Sequence, residues 1–239
     1  MTEATIALVT GANKGLGRET ARRLAGLGWE VFLAARDAER GAGAVAELAE
    51  EGVHTRFIAL DVTSDESVAA AADAVKSQFG RLDVLVNNAG IGGPRTDPAD
   101  TRPDDLREVF ETNVFGQVRV THAFLPLLRA SDHPRIVMVS SGIGSIAVIT
   151  DPKVRDIVPV ALGYPTTKAA LNMLTTMYAA ALPDIRINAV DPGYTATDIN
   201  GRSGFQTITE GTDAIVRMAT IAPDGPTGGF FDRNGTISW

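Results

Sequence analysis

Short apolar runs alternate with longer segments of helical periodicity along the chain. Most of the short runs are almost continuously apolar, which is typical of strands covered on both faces of a parallel sheet. Seven runs are predicted as strands: 4–10, 30–35, 56–61, 82–88, 135–141, 185–190 and 228–231. Five segments are predicted as helices: 15–27, 38–50, 64–79, 103–130 and 164–182.

This alternation of strand and helix predicts the α/β class, with a doubly wound parallel sheet of about seven strands and helices on both faces. The third helix has a clear start, because Thr63 or Ser64 can serve as N-cap and Asp65 and Glu66 follow in the first turn. No linker, low-complexity segment or short-period repeat interrupts the pattern. We therefore expect one domain over residues 1–239.

Composition and charge narrow the functional classes. Hydrophobic residues make up 44% and charged residues 21%, as in an ordinary globular protein with a large core. The net charge of -7 does not favour nucleic-acid or anionic-membrane partners. Cysteine is absent, which excludes disulfides and thiol chemistry, and three scattered histidines indicate no metal site. The N-terminus reads as a buried strand rather than a signal peptide, so a cytoplasmic location is expected.

The first strand leads directly into the loop TGANKGLGRE, which holds Gly11, Gly15 and Gly17. Glycines at such a loop let the chain turn sharply and let a phosphate approach the backbone. The following helix N-terminus then presents free N–H groups to a pyrophosphate. A glycine-rich turn without a ligand is the alternative. The spacing is Gly-x-x-x-Gly-x-Gly rather than the commoner Gly-x-Gly-x-x-Gly.

A tyrosine and a lysine stand four residues apart in the stretch GYPTTKAALNML, and this spacing places Tyr164 and Lys168 on one helix face. Five motifs then occur in order at the predicted strand and helix ends: Thr10-Gly11-x-x-x-Gly15-x-Gly17, Asn87-Asn88-Ala89-Gly90, Ser140-Ser141, Tyr164-x-x-x-Lys168 and Pro192-Gly193. Over essentially its whole length the chain resembles a short-chain dehydrogenase/reductase, with a Rossmann-type sheet. It most resembles the NADPH-dependent carbonyl reductases, through the NKG of the glycine loop and AARD at 34–37.

The resemblance implies reduction of a ketone or aldehyde to an alcohol, reversibly, with Tyr164 as acid/base. Lys168 would lower the pKa of the phenol and bind the nicotinamide ribose. An ammonium about 4 Å away contributes about 4 kcal/mol at an effective dielectric near 20. This interaction is large enough to lower the pKa of the phenol from about 10 towards neutral pH. Ser141 is expected to polarise the substrate carbonyl, with Ser145 a weaker candidate. Asn113 would complete a proton relay through a water near Lys168.

The cofactor implied is NADP(H). The residues expected to contact it are Gly11, Asn13, Lys14, Gly15, Leu16, Gly17, Arg36, Asp61, Val62, Asn88, Ala89, Gly90, Tyr164, Lys168, Pro192, Gly193, Thr195 and Thr197. NADH-selective folds place an acid at the end of the second strand, where this chain has Ala35 followed by Arg36. Lys14 can approach the same place and add a second positive group for the 2′-phosphate. The alternative is that the strand runs further and Asp37 holds the ribose.

Substrate loops are expected at about 142–163 and 196–210. The first mixes apolar residues with charges between Ser141 and Tyr164, and is longer than is common in the family. A 3-ketoacyl or steroid dehydrogenase/reductase of the same family, and a non-catalytic NADP-binding sensor, remain as alternatives. The expected partner is a small carbonyl or alcohol substrate, and the chain can be a monomer, a dimer or a tetramer.

Overall fold

A computed structural model describes residues 4–155, 158 and 160–239. Within these residues, one sheet of eight strands has the order β3-β2-β1-β4-β5-β6-β7-β8. The strands are β1 Ile6–Val9, β2 Glu30–Ala35, β3 Arg56–Ala59, β4 Val84–Asn87, β5 Arg135–Val139, β6 Arg186–Val190, β7 Phe230–Asp232 and β8 Gly235–Thr236. All neighbours are parallel except β7 and β8.

The predicted fold class is confirmed, but the predicted number of about seven strands is one too few. The eighth strand, β8, pairs antiparallel with β7 through Phe231 and Thr236. It is only two residues long. A run that short has no periodicity to detect, and only the tight turn after Asp232 brings it against β7.

The helices cover both faces of the sheet. They are α1 Gly15–Ala25, α2 Ala38–Glu50, α3 Asp65–Phe79, α4 Pro103–Phe110, α5 Gly116–Leu128, α6 Ile146–Thr150, α7 Pro152–Arg155, α8 Gly163–Ala181, α9 Ile208–Gly211 and α10 Asp213–Ala219. Short 3₁₀ turns occupy Gly142–Gly144 and Asp198–Asn200. As predicted, α3 is capped, with the Ser64 side chain accepting a hydrogen bond from the N–H of Ser67.

Two predicted features of the helices differ from the structure. The segment 103–130 is not one helix, because a π-helical turn over Glu111–Phe115 separates α4 from α5. A π turn holds an extra residue and is often found at functional sites. The helices α6, α7, α9 and α10 were not predicted, since they are only four to seven residues long.

Side chains of the central strands alternate between two buried clusters. Leu8 of β1 packs with α3, α5 and α8 on one face, whereas Ala7 and Val9 pack with α1, α2 and α10 on the other. This explains the nearly continuous apolar runs in the sequence, because both faces of each strand are covered.

The order of the strands reverses between β1 and β4, since β2 and β3 lie on one side of β1 and the later strands lie on the other. Ligands of open α/β sheets bind at the carboxyl ends of the strands beside such a reversal. The glycine loop follows β1 here, and Asn88 follows β4. Among the described residues, no helix combines the length and apolar character needed to cross a membrane.

Candidate active site

The glycine loop has the geometry of a phosphate cradle. Gly11 and Gly15 have φ of 63° and 56°, in the left-handed region that glycine adopts without strain. A Cβ on Gly15 would meet no described atom within 4 Å, whereas a Cβ on Gly17 would stand 2.6 Å from Asn88 Nδ2. Gly15 therefore faces open space, and the missing side chain of Gly17 lets α1 pack closely against Asn88 at the end of β4.

The N-terminus of α1 is left free to receive an anion. Lys14 is the N-cap residue, yet its side chain makes no capping hydrogen bond within the described part of the chain, and no acidic residue lies in the first turn. The backbone N–H groups of this turn and the positive end of the helix dipole are therefore available to a phosphate. The loop and helix fit a dinucleotide pyrophosphate.

The ends of β1 and β4 are joined by side-chain hydrogen bonds beneath this loop. Asn88 Nδ2 donates to the carbonyl of Thr10 at 2.8 Å and to that of Gly11 at 3.3 Å. In return, Thr10 Oγ1 accepts from the N–H groups of Asn88 and Ala89. These bonds hold the second expected motif directly beside the first.

Asn113 lies in the π turn and is fully buried. Its amide exchanges two hydrogen bonds of 2.9 Å with the backbone of Ile91, and its Nδ2 also donates to Thr167 Oγ1 at 3.1 Å. A Cβ on Gly90 would stand 3.3 Å from Asn113 Oδ1 and 3.7 Å from Lys168 Nζ. The structure thus brings the predicted Asn113, Gly90 and Lys168 together.

Two further polar side chains continue this arrangement along α5. Gln117 Nε2 donates to the carbonyl of Ala89 at 2.7 Å. One turn later, Thr121 Oγ1 accepts from Asn87 Nδ2 at 3.0 Å. With Asn113, these residues form a ladder in which every fourth residue of the helical segment binds every second residue from the end of β4 onward.

The two serines after β5 have different partners. Ser140 is buried, and its Oγ donates to Asn172 Oδ1 at 2.5 Å and to the carbonyl of Lys168 at 3.3 Å. Ser141 lies beside Tyr164 instead, where it lowers the pKa of the phenol. The structure therefore places Ser141 beside the predicted acid/base and commits Ser140 to holding α8.

Ser145, the weaker candidate, faces away from this group. Its Oγ accepts from the N–H of Val148 at 3.1 Å, which makes Ser145 the N-cap of α6. The same hydroxyl donates to the carbonyl of Ser238 at 2.7 Å. Its hydrogen bonds are thus used to fix the start of the first substrate loop.

Lys168 is 4% exposed, and its Nζ donates to the carbonyl of Val139 at 2.7 Å. Burial lowers the pKa of this ammonium to about 8. The Nζ also lies 5.4 Å from the centroid of the Tyr164 ring. Lysine and tyrosine share one side of α8, as their spacing predicted.

The expectation that Lys168 lowers the pKa of Tyr164 is wrong for this structure. Tyr164 is partly exposed as a residue, but the protein atoms packed around its phenol remove most of the water from it. This burial raises the pKa of Tyr164 to about 12, the charge of Asp191 adds to the rise, and Ser141 opposes it. Burial is the largest of these influences and therefore sets the direction of the pKa shift.

The expected residues after β6 form the base of a loop that we call the lid, residues 196–205. Thr195 is buried, and its Oγ1 donates to the carbonyl of Pro192 at 2.9 Å. Gly193 has φ of 71°, and the Gln206 side chain packs where its Cβ would stand. Thr195 and Gln206 form a bridge that closes the lid at its base, and Thr197 caps the 3₁₀ turn within it.

The residues expected at the adenosine end lie around the ends of β2 and β3. Arg36 is exposed directly after β2, which ends at Ala35. Asp37 is the N-cap of α2 and accepts from the N–H of Arg40 at 3.0 Å. The alternative in which Asp37 holds the ribose would require it to leave this cap.

Asp61 and Val62 follow β3 and are also held in place. Asp61 Oδ1 accepts from Thr63 Oγ1 at 2.7 Å, and Val62 packs against Gly116 at the start of α5. Lys14, by contrast, is exposed, and its Nζ lies 2.7 Å from Asp198 Oδ2 in the lid. Asn13 and Leu16 lie beside it in the glycine loop, so the structure joins this loop to the lid.

Three residues of this region were missed by sequence reasoning. Gln117 and Asn172 each follow a predicted site residue by four positions, so helical spacing from Asn113 and Lys168 was a usable signal. Asp191 is a carboxylate directly after an apolar strand, which is also visible in the sequence. Each was passed over because none belongs to a recognised motif.

This sheet and the side chains at its switch point fit an oxidoreductase that acts on alcohol and carbonyl groups. The sequence model described as short chain dehydrogenase matches residues 5–206. The chain belongs to the short chain dehydrogenase family.

Individual proteins of known sequence or structure are similar over nearly the whole chain. Short-chain dehydrogenase/reductase 1 of Saponaria officinalis is 36% identical, covering 95% of this chain and 94% of that protein. (+)-Neomenthol dehydrogenase of Capsicum annuum is 33% identical, with 97% and 96% covered. NADPH-bound carbonyl reductase from chicken fatty liver is 29% identical, with 99% and 100% covered and a TM-score of 0.87.

Proposed function

We propose that the chain is an NADP-dependent reductase that converts a ketone or aldehyde to an alcohol, reversibly, with Tyr164 as proton donor. The observation that carries this proposal is the grouping of Tyr164 with Lys168, whose Nζ lies 5.4 Å from the centroid of the tyrosine ring, and with Ser141, which lowers the pKa of the phenol. The relatives named as dehydrogenases and the carbonyl reductase of the chicken support the reaction class.

NADPH fits the cradle formed by Gly11, Gly15, Gly17 and the free first turn of α1. The other residues proposed to line it are Asn13, Lys14, Leu16, Arg36, Asp61, Val62, Asn88, Ala89, Gly90, Tyr164, Lys168, Pro192, Gly193, Thr195 and Thr197. When bound, NADPH supplies the hydride to the carbonyl carbon. Since Thr195 Oγ1 is already satisfied by Pro192, Thr195 is proposed to contact the cofactor through its backbone.

The side chains of the protein hold the proton and donate it to the substrate. With a pKa raised to about 12, the phenol of Tyr164 keeps its proton at neutral pH and can donate it to the substrate oxygen. Ser141 is placed to bind the same oxygen. Lys168, anchored on Val139, holds its charge beside the ring, and Asn113 fixes the neighbouring backbone at Ile91.

A preference for NADPH over NADH is supported by the surroundings of Arg36. This guanidinium is exposed at the end of β2, and the acid next to it in sequence, Asp37, is used as a helix cap. Arg36→Glu should therefore raise the Kd of NADPH at least about tenfold and change that of NADH much less. A wild-type protein that binds NADH more tightly would contradict this preference.

The substrate is proposed to enter between the loops at 142–163 and 196–210. Both carry exposed apolar side chains: Ile146, Val160, Leu162, Ile199 and Phe205. Ile157 of the first loop lies outside the described residues. Apolar walls favour an apolar ketone over a charged one, because charged groups lose hydration without gaining a partner.

The proposal is tested by Tyr164→Phe, assayed by NADPH oxidation with a panel of ketones and aldehydes. We expect kcat to fall by about 10²–10⁴-fold with NADPH affinity nearly unchanged, because the ring that lines the cofactor stays and only the proton-donating hydroxyl is removed. Tyr178→Phe is the matched control, since it removes a half-buried hydroxyl from the same helix outside the site. A Tyr164→Phe enzyme that keeps near wild-type turnover on its best substrate would exclude this mechanism.

A further inference from the structure

Residues 237–239 lie against the start of the first substrate loop, although they are far from it in the sequence. Ser145 Oγ donates to the carbonyl of Ser238 at 2.7 Å. The N–H of Ala147 donates to the carbonyl of Trp239 at 3.2 Å. Two neighbouring carbonyls therefore hold the N-cap residue and the first turn of α6.

The helix α6 has few contacts of its own to keep it in place. It is five residues long, and none of its side chains, all of which the structure describes, is buried. Helices this short are not stable without outside contacts, because their ends leave backbone groups unpaired. The position of the first substrate loop thus depends on the contacts at the start of α6.

The segment that supplies these carbonyls is itself fixed to the core. The Trp239 ring stacks on the ring of Phe230, with centroids 5.2 Å apart and an angle of 11° between the planes. Phe230 lies in β7 and is buried in the same cluster as Leu171 of α8. The N–H of Ile237 also donates to the carbonyl of Phe230 at 2.9 Å. Residues 237–239, which we call the strut, therefore connect the sheet to the loop.

A tightly packed turn separates the strut from the serine proposed to bind the substrate oxygen. A Cβ on Gly144 would stand 2.6 Å from Lys168 Cβ, so the 3₁₀ turn between Ser141 and Ser145 packs directly against α8. The carbonyl of Gly144 also accepts from Asn172 Nδ2 at 3.2 Å. Movement of α6 should therefore alter the substrate wall formed by the loop and leave Ser141 in place.

We propose that Trp239 and Ser145 are positioning residues that hold the first substrate loop, through the strut, as a wall for large apolar ketones. This inference rests on the proposed function, in which the loop lines the entrance for the substrate. Ile146, the first residue of α6, is largely exposed and belongs to this wall. Loosening the strut should weaken the binding of substrates that reach Ile146 and change little for small ones.

The kinetic test is Trp239→Ala, which removes the ring that stacks on Phe230. The KM for the largest apolar ketone that the wild type reduces should rise about tenfold, whereas kcat, the KM for the smallest ketone and the Kd of NADPH should stay within about twofold. Trp239→Phe keeps a ring for the stack and should leave the KM for the large ketone near wild type. Ser145→Ala removes the hydrogen bond to Ser238 and should raise this KM as Trp239→Ala does.

The second tryptophan of the chain provides the matched control. Trp29 is also partly exposed, but it lies directly before β2, away from the strut. Trp29→Ala should lower the melting temperature without changing the ratio of the two KM values. Trypsin cleavage after Lys153, an exposed residue of α7, reports on the loop without any substrate. This cleavage should be several-fold faster in Trp239→Ala than in wild type or Trp29→Ala, because the loop opens more often.

Equal rates of cleavage after Lys153 in Trp239→Ala and wild type would overturn the strut. An unchanged ratio of the two KM values in Trp239→Ala would overturn its role in selectivity, and so would the same change of ratio in Trp29→Ala. Retained turnover of Tyr164→Phe would instead show that the proposed function itself is wrong, and the cleavage rates would still test the strut.

Discussion

The strands and helices on the cofactor side differ sharply from the loops on the substrate side. Around β1 and β2 the side chains are almost completely buried, and Phe32 is only 1% exposed. In the lid, Phe205 is 82% exposed, and the helices beside the two substrate loops are four or five residues long. The cofactor side is thus stabilised by its own packing, whereas the substrate side leaves apolar surface for a ligand to cover.

The largest difference in the free energy of unfolding should come from replacing one phenylalanine on each side by alanine. Phe32→Ala empties a close-packed position in β2 and should cost about 3–5 kcal/mol of unfolding free energy. Phe205→Ala should cost less than about 1 kcal/mol, because it removes a ring that mostly contacts water and Tyr194. Urea unfolding of both variants measures this, and similar losses would show that the lid is packed as part of the core.

Lys168 should make stability depend on pH. Its pKa falls from 10.5 in the unfolded chain to about 8 in the folded protein. Between these two pH values the folded state binds fewer protons than the unfolded state, so the contribution of Lys168 to the free energy of unfolding rises with pH. The gain is up to about 3 kcal/mol. Tyr164, whose pKa is raised from 10.0 to about 12, reverses the trend only above about pH 10.

The measurement is the unfolding free energy of wild type and Lys168→Met from pH 7.5 to 10. The difference between them should grow in favour of wild type as pH rises. Lys76→Met, at an exposed position of α3, is the control and should give a difference that stays flat. A flat difference for Lys168→Met as well would mean that its ammonium is solvated rather than buried.

The glycine loop should tolerate no Cβ where α1 meets β4. Gly17→Ala forces a Cβ within 2.6 Å of Asn88 Nδ2 and of the carbonyl of Gly11. This variant should lower the free energy of unfolding by about 1–3 kcal/mol and should also weaken NADPH binding. Gly43→Ala, in α2, meets no described atom within 4 Å and should stabilise the protein by about 0.5–1 kcal/mol. Melting temperatures that move in the same direction for both variants would contradict this account.

The smallest effect is expected at the contact between the two sides, Lys14 with Asp198. Both side chains are exposed, so the ion pair adds little to stability. Asp198→Asn should nevertheless lower the Kd of NADPH a few-fold at low salt, because Lys14 no longer has a competing anion. Asp104→Asn breaks an equally short pair with Arg107 on α4 and should leave the Kd unchanged.

High salt provides the second arm of that experiment. Near 1 M salt the benefit of Asp198→Asn should disappear, since exposed charges are then screened within about 3 Å. A benefit that persists at high salt would show that Asp198 acts through the shape of the lid rather than through its charge.

The strands and the longer helices were predictable because the local sequence pattern of each one agrees with the way it packs in the fold. The ends of β2, α2 and α3 fall within two residues of their predicted positions, since apolar periodicity and caps such as Ser64 are strong local signals. The π turn at Asn113 was not predictable, because one extra residue in a helix leaves the apolar pattern almost unchanged. The direction of the Tyr164 pKa was also missed, since the sequence shows its cationic neighbour but not the loss of water around the ring.

The ladder of Asn113, Gln117 and Thr121 fixes the number of residues both in the helical segment 113–121 and in the segment 87–91 that it binds. Between Gln117 and Thr121 four residues of α-helix rise about 6 Å, close to the span of two residues of extended chain, so the contacts with Ala89 and Asn87 stay in step. Adding or deleting one residue on either side would put later contacts out of phase. Variation among functional descendants of this sequence should therefore appear here as exchanges of side chains and not as insertions.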